Sequence, residues 1–236
     1  MSSPRGSLDK RGNRRGGLYW MPGDPKPYIS VTNVLKILDK PALQRWFGLE
    51  VYRAVIIDPS IDERTALAAP YNISRKAMDR GTTVHSIVEA HKNGATINLD
   101  GIPTQFQGYA RAFYKFVDDF NPTILDNEKT LVSKKHGYAG TFDLRLTFGG
   151  DTFDPWVIDI KTGKDIYPES HLQLSAYFAA LEEAGVAVKR RGVCLLGEDG
   201  TFKFEETPML FDEFLAAKKL YEWRNKDMLT RYGYYG

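Results

Sequence analysis

Two short stretches, Gly140-Thr-Phe-Asp-Leu-Arg-Leu146 and Trp156-Val-Ile-Asp-Ile-Lys-Thr-Gly163, decide the fold of this chain. Apolar and polar residues alternate in both, and a period of two predicts a β-strand that is buried on one face. The segment between them, Gly149-Gly-Asp-Thr-Phe-Asp-Pro155, is rich in turn residues. Together they predict a β-hairpin.

Three charged residues lie on these predicted strands: Asp143, Asp159 and Lys161. A strand places Asp159 and Lys161 side by side, and the hairpin would bring Asp143 close to them. Two carboxylates and an ammonium make a site for a hard divalent cation and an attacking water, which suits phosphodiester hydrolysis. From strand geometry alone, a surface hairpin with solvated charges is an equal alternative, because polar faces are common in antiparallel sheets.

Two predicted helices flank the hairpin and favour the first interpretation. The downstream helix, residues 170–185, combines good helix formers with a serine cap and a glycine stop. It carries Gln173 and Tyr177 four residues apart, on one helical face. The upstream helix, residues 80–91, carries His85. A helix on each side of the hairpin therefore supplies further polar groups.

Four motifs occur in order along the chain: Gly-x-x-x-His, Gly-Thr-x-Asp, Asp-x-Lys-Thr-Gly and Gln-Leu-x-x-Tyr. Together they resemble the RecB-type exonuclease branch of the PD-(D/E)XK nuclease superfamily, which includes phage exonucleases and the mitochondrial genome maintenance exonuclease. Each motif is weak alone, but four in order within a helix–strand–strand–helix context are specific. The resemblance runs from about Tyr28 to Tyr177. It implies an α/β fold with a restriction-endonuclease-like PD-(D/E)XK core, a central mixed sheet flanked by helices, and an N-terminal helical cap.

The resemblance implies a set of metal ligands. Asp143 and Asp159 match the two metal-binding acids, and His85 matches a histidine that completes the metal site from a helix. The main-chain carbonyl of Ile160 would add a further oxygen. Glu128, in the preceding predicted strand, is either an additional ligand or a solvated strand residue. Magnesium prefers oxygen ligands and an imidazole tolerates manganese, so the implied cofactor is Mg²⁺ or Mn²⁺.

The remaining catalytic positions follow from the same resemblance. Lys161 matches the lysine that positions or activates the attacking water. Gln173 and Tyr177 match a motif that contacts DNA or orients the active site. The proline of the family name is absent before Asp143, where Phe142 stands, but that proline carries no chemistry. The candidate catalytic residues are therefore Asp143, Asp159, Lys161, Gln173 and Tyr177.

The function that the resemblance implies is a metal-dependent deoxyribonuclease. It would be an exonuclease that hydrolyses phosphodiester bonds from the ends of single-stranded or resected DNA, in recombination, repair or replication. The alternatives are a structure-specific DNA endonuclease, a catalytically inactive DNA-binding module of the same fold, and a metallohydrolase of small phosphoesters. The implied partners are DNA and a single-strand annealing or recombination protein, while the oligomeric state is left open.

Basic residues outside these motifs add candidate DNA contacts to Gln173 and Tyr177. Arg80, at the start of the upstream helix, closes a basic cluster, and Lys134 and Lys135 precede the first strand of the hairpin. Each group either lines a DNA path or is an ordinary solvated patch. The formal net charge of +2 does not by itself indicate a nucleic-acid partner.

Length and composition fit a single globular domain. A chain of 236 residues can bury a substantial core, and 42% hydrophobic with 26% charged residues is ordinary for a globular protein. No apolar run is long enough to cross a membrane. We expect a flexible basic lead over residues 1–27 and one nuclease domain over 28–236. Within it, residues 28–80 would form the helical cap and residues 81–236 the catalytic core.

A single cysteine, Cys194, excludes an intramolecular disulfide and suits a reducing compartment. One thiolate cannot hold an iron–sulfur cluster, which removes the iron–sulfur nucleases of the superfamily. No secretory signal is visible. The expected location is therefore the cytoplasm of a bacterium or of a phage-infected cell.

Overall fold

The backbone is organised around one mixed β-sheet. A computed structural model of the protein describes residues 13–15, 17–95, 98–151 and 153–235. The strands in these residues are β1 (Asn13–Arg15), β2 (Leu18–Trp20), β3 (Tyr28–Ser30), β4 (Thr123–Ser133), β5 (Tyr138–Thr147), β6 (Trp156–Lys161), β7 (Arg190–Leu196) and β8 (Phe202–Glu206). Hydrogen-bonded neighbours follow the order β1-β2-β3-β5-β6-β7-β8, and β4 pairs with β5. The pairs β3–β5 and β6–β7 are parallel and the others antiparallel.

Helices cover both faces of this sheet. They are α1 (Val31–Val34), α2 (Pro41–Ile57), α3 (Glu63–Lys92), α4 (Gln107–Phe120), α5 (Pro168–Glu183), α6 (Phe211–Arg224) and α7 (Lys226–Arg231), with 3₁₀ turns at Leu35–Ile37, Leu99–Gly101 and Thr104–Phe106. The predicted α/β class, a central mixed sheet flanked by helices, is confirmed. In the part of the chain that is described, every helix is too short or too polar to span a lipid bilayer.

The two faces of the sheet carry separate hydrophobic cores. The face with Leu144 and Ile158 packs on α3 and α4. The face with Val157 and Val193 packs on α5 and α6. Apolar residues on both faces of β6 explain why this strand is almost entirely buried, as expected for a strand with helices on either side.

The predicted hairpin is confirmed. Strands β5 and β6 are antiparallel, with Leu144 opposite Ile158 and Leu146 opposite Trp156. Helix α5 then connects β6 to its parallel neighbour β7, because two parallel strands need a long crossover. The helix with Gln173 is thereby held over the strand with Asp159.

The N-terminal segment differs from the prediction. Leu18–Trp20 is a sheet strand, with Leu18 and Tyr19 completely buried, so a flexible lead up to residue 27 is wrong for this part. A strand of three residues is too short to show an alternating pattern in the sequence, and its pairing with β1 and β3 identifies it in the structure. Residues 1–12 and 16 lie outside the described residues.

The predicted cap region contains two long helices besides a strand and short turns. Val31, Val34 and Leu35 are buried, as their spacing indicates. Helix α2 has no buried residue and packs mainly on α3. Helix α3 continues without interruption through residue 80, so the helix that supports α2 also delivers His85.

Phe116 occupies the centre of an aromatic cluster between α4 and the sheet. Its ring centroid lies 5.3 Å from that of Phe120, 6.0 Å from Phe148, 5.6 Å from Phe202 and 5.9 Å from Phe204. These contacts join α4 to β8 and to Phe148, which directly follows β5, so this ring connects positions that are distant in sequence.

Phe116→Ala should lower the free energy of unfolding by about 3–5 kcal/mol, since it leaves a cavity in a packed interior. Urea denaturation followed by circular dichroism measures this. The matched control is Phe153→Ala, whose side chain is 80% exposed and which should change stability by less than about 0.5 kcal/mol. Equal effects of the two substitutions would contradict this assignment of the core.

Candidate active site

Strands β5 and β6 separate at the candidate carboxylates. Their paired register ends at Leu144 opposite Ile158, while β6 stays paired with β7 as far as Lys161. Beyond the end of the β5–β6 ladder, the amide N–H of Ile160 donates to Asp143 Oδ2 at 2.7 Å. The Asp143 side chain on β5 therefore accepts a hydrogen bond from the backbone of β6. This bond fixes the carboxylate against the neighbouring strand.

Asp159 is a buried carboxylate with few compensating groups. Its side chain is 1% exposed, and Oδ2 lies 2.7 Å from Lys161 Nζ. Lys161 thus compensates one of the two carboxylate oxygens, whereas Asp159 Oδ1 has no hydrogen-bond partner within the described residues. Burial of a carboxylate is costly unless charge and hydrogen bonds compensate it. Asp159 thus has capacity for another positive ligand.

Asp143 resists ionisation. Burial and the neighbouring charge of Asp159 raise the pKa of Asp143 to about 7, although the charges of His85 and Lys161 oppose the shift. Two carboxylates in one buried site disfavour each other's charged form. A bound cation would relieve this repulsion, because it would hold both groups in the ionised state.

His85 enters the site from α3. Its Nδ1 lies 2.5 Å from Glu128 Oε1 and 3.9 Å from Asp143 Oδ1. Burial lowers the pKa of His85, but the hydrogen bond to Glu128 and the charge of Asp143 outweigh it and raise this pKa to about 9. Donor atoms of these three residues all lie within 4.8 Å of one another. The grouping brings together three of the predicted metal ligands.

Glu128 reaches the site through an uncommon backbone conformation. Its φ is +47°, in the left-handed region that costs a residue other than glycine about 1–3 kcal/mol. The pairing of β4 with β5 runs from Asn127 opposite Leu144 to Lys129 opposite Phe142. Glu128 therefore stands beside Asp143. Of the two alternatives for Glu128, the geometry favours a residue of the site over a solvated strand residue.

Lys161, Gln173 and Tyr177 form a chain of contacts across the site. Lys161 Nζ lies 3.5 Å from Gln173 Oε1, and Gln173 Nε2 donates to the Tyr177 hydroxyl at 3.1 Å. Tyr177 is buried against Gly140, where a Cβ would lie 2.4 Å from its ring. The glycine of the Gly-Thr-x-Asp motif thus makes room for the tyrosine of the Gln-Leu-x-x-Tyr motif.

The ammonium of Lys161 is held in its charged form. Burial lowers the pKa of Lys161, but the charges of Asp159 and Asp143 outweigh this and raise it above the usual value. At neutral pH this side chain therefore carries a proton, so it acts as a hydrogen-bond donor and a positive charge rather than as a base.

The three candidate DNA-binding cations lie in different places. Arg80 is brought to the edge of the site, where its Nε donates to Thr162 Oγ1 at 3.0 Å. Lys134 and Lys135 lie on the turn between β4 and β5. The turn precedes the start of β5 at Tyr138, which is five residues, or about 17 Å of extended strand, from Asp143. The two lysines are not brought into the site. The hydroxyl of Thr162 was not singled out from the sequence, although it follows Lys161 directly.

Comparisons with known proteins give structural likenesses only. No protein-family model and no curated protein matches the sequence. The crystal structure of an alkaline exonuclease (LHK-Exo) from Laribacter hongkongensis is similar, with a TM-score of 0.46, 12% identity, and coverage of 86% of this chain and 90% of that chain. The same enzyme in complex with dAMP gives a TM-score of 0.43 at 12% identity and the same coverage. A structure of SSO0001 gives 0.38 at 14% identity, covering 82% of this chain and 74% of that one.

At these identities the likenesses bear on the fold alone.

In the absence of metal, the protein should lose stability as the pH rises from about 6 to about 9. The pKa of Asp143 rises from 3.8 to about 7 and that of His85 from 6.5 to about 9 on folding. The folded state therefore binds more protons than the unfolded state across this interval, and its stability falls as they dissociate.

Urea midpoints in chelator at several pH values measure this loss. Asp143→Asn removes the Asp143 titration, which ends near pH 7, and should flatten the dependence between about pH 6 and 7. A wild-type midpoint that rises with pH over the whole interval, or an Asp143→Asn variant with the wild-type slope below about pH 7, would contradict the assignment.

Proposed function

We propose that this protein is a divalent-metal-dependent deoxyribonuclease that hydrolyses phosphodiester bonds from DNA ends. The observation that carries this is the buried Asp159 carboxylate, whose Oδ1 has no hydrogen-bond partner within the described residues and which stands beside Asp143 and Lys161. Paired acids with a lysine at their edge suit attack of water on a phosphodiester, in which negative charge builds up on phosphate oxygens.

The donor set fits Mg²⁺ or Mn²⁺. Asp143 and Asp159 supply carboxylate oxygens, which hard cations prefer, and His85 with Glu128 offers a further nitrogen and oxygen. The main-chain carbonyl of Ile160 remains a predicted ligand; its amide already fixes Asp143. A bound cation would supply Lewis acidity toward a phosphate oxygen and toward water.

Lys161 is the group that stabilises the negative charge of the transition state. Asp159 and Gln173 hold its ammonium in place, at 2.7 Å and 3.5 Å. Because the ammonium stays protonated, it can donate to a phosphate oxygen or orient the attacking water. Gln173 and Tyr177 position this lysine through their own hydrogen bond, so their substitution should act through Lys161.

A cavity beside the site suits the end of a DNA strand. It has a volume of about 280 Å³ and is lined by, among others, Lys161, Gln173, Tyr167, Lys40 and Glu169. An ion pair of 2.6 Å between Lys40 and Glu169 borders it. This volume suits one small ligand, such as a single nucleotide, rather than continuous duplex. Cutting at an end is the activity that the sequence motifs imply, and a pocket of this size beside Lys161 is compatible with it.

Asp159→Asn and Lys161→Met should each reduce the rate of DNA cleavage with Mg²⁺ or Mn²⁺ at least about 100-fold, since each removes a charge that acts in the transition state. Release of fluorescent nucleotides measures the rate, and circular dichroism checks the fold. Lys135→Met, a lysine remote from the site, is the matched control and should keep near wild-type activity. Cleavage by Lys161→Met at the wild-type rate would overturn the role of this lysine.

End-directed cutting requires a free end. The protein should degrade linear single-stranded DNA with Mg²⁺ or Mn²⁺, whereas covalently closed single-stranded circles of the same sequence should stay intact. Gel electrophoresis of both substrates, with and without chelator, measures this. Cleavage of the circles at a similar rate would replace the exonuclease by an endonuclease. Binding of DNA without cleavage of either would leave a DNA-binding module.

A further inference from the structure

Helix α3 carries two cations on one face, shortly before the turn that delivers His85 to the site. Lys76 and Arg80 are four residues apart, so their side chains share a helical face, about 6 Å apart along the axis. Lys76 is exposed and Arg80 is partly buried. His85 follows about 7.5 Å further along the same axis, where it contacts Glu128. The two cations therefore form a row that leaves the site along α3.

Neutral groups hold Arg80 at the edge of the site. Its Nε donates to the hydroxyl of Thr162 at 3.0 Å, and Thr162 directly follows Lys161 in the chain. The guanidinium carbon lies 5.1 Å from the centre of the Tyr109 ring, which suits the stacking of a planar cation on an aromatic face. These contacts orient the guanidinium without neutralising its charge.

Both positive charges lack a local counter-charge. Within the described part of the chain, neither Lys76 nor Arg80 makes an ion pair with an acid. Asp79 stands between them in the sequence, and Glu198 interacts with the same Tyr109 hydroxyl as Arg80, yet both acids stay beyond ion-pair distance. Like charges four residues apart on a helix repel each other. A bound anion would relieve this repulsion, so the row is suited to a chain of negative charges.

We propose that Arg80 and Lys76 form a phosphate track, which binds successive phosphates of a single DNA strand whose end lies in the site. This inference rests on the proposed function and adds the path of the strand to it. The reacting phosphate lies at Asp143 and Lys161, so Arg80, about one and a half turns of α3 from His85, contacts the next phosphate along the strand. Its guanidinium fork fits two oxygens of a phosphodiester. Lys76, one turn further out, contacts the following phosphate as a point charge. Two cations in a single row match one strand.

The salt dependence of DNA binding tests the phosphate track. Fluorescence anisotropy of a labelled single-stranded oligonucleotide, in chelator so that metal-dependent cleavage is prevented, gives the dissociation constant Kd at several salt concentrations. Each phosphate contact contributes about 0.7 to the slope of log Kd against log salt for single strands. Arg80→Gln should therefore lower this slope by about 0.7, and its combination with Lys76→Gln by about 1.4. Arg80→Lys should keep the wild-type slope, because it keeps the charge. Lys219→Gln, an exposed cation on α6, is the matched control and should leave the slope unchanged.

Cleavage kinetics separate a phosphate contact from a purely structural one. Arg80→Gln should raise KM for linear single-stranded DNA at least about fivefold and change kcat less than about threefold, because it removes binding that ground state and transition state share. Its unfolding temperature should match that of the wild type. A salt slope unchanged by Arg80→Gln, an Arg80→Lys variant that behaves like Arg80→Gln, or a loss confined to kcat would overturn the phosphate track while the proposed function stands. A wild type that binds no DNA would overturn both.

Discussion

The site depends on one hydrogen bond, from the amide of Ile160 to the carboxylate of Asp143 at 2.7 Å. It forms where β5 and β6 stop pairing, so the two strands diverge while a side chain still links them. The bond thereby fixes the Asp143 carboxylate next to the segment of β6 that carries Asp159. Because β7 holds β6 in place through Lys161, the lysine stays at the edge of the same site.

Charge is the second constraint. Among the described residues, the carboxylates of Asp143, Asp159 and Glu128 lie close to the cationic groups of His85 and Lys161, and Asp159 is almost completely buried. The raised pKa of Asp143 and of His85 both express a shortage of positive charge. In physical terms protons occupy the site when no cation does, and a divalent cation would displace them. Proton binding and the proposed cation binding are thus two states of the same cluster.

Much of this arrangement could be predicted from the sequence because its signals are local. Alternation identified β5 and β6, and motif spacing grouped Asp143, Asp159 and Lys161, which the structure does bring together. The role of Glu128 could not be decided, since it depends on a left-handed backbone inside a strand. The strand at Leu18–Trp20 was missed because three residues carry no periodicity. The placement of Lys134 and Lys135 depends on where the β4–β5 turn falls relative to Asp143, which local composition does not specify.

Calorimetric titration of the metal-free protein with Mn²⁺ tests the central claim, that the Asp143–Asp159 cluster holds a divalent cation. The wild type should show one or two saturable sites with release of protons to the buffer, because the cation replaces the protons on Asp143 and His85. Asp159→Asn should lose this binding while its circular dichroism stays unchanged. Equal binding by the wild type and Asp159→Asn, or no binding by the folded wild type, would contradict the account.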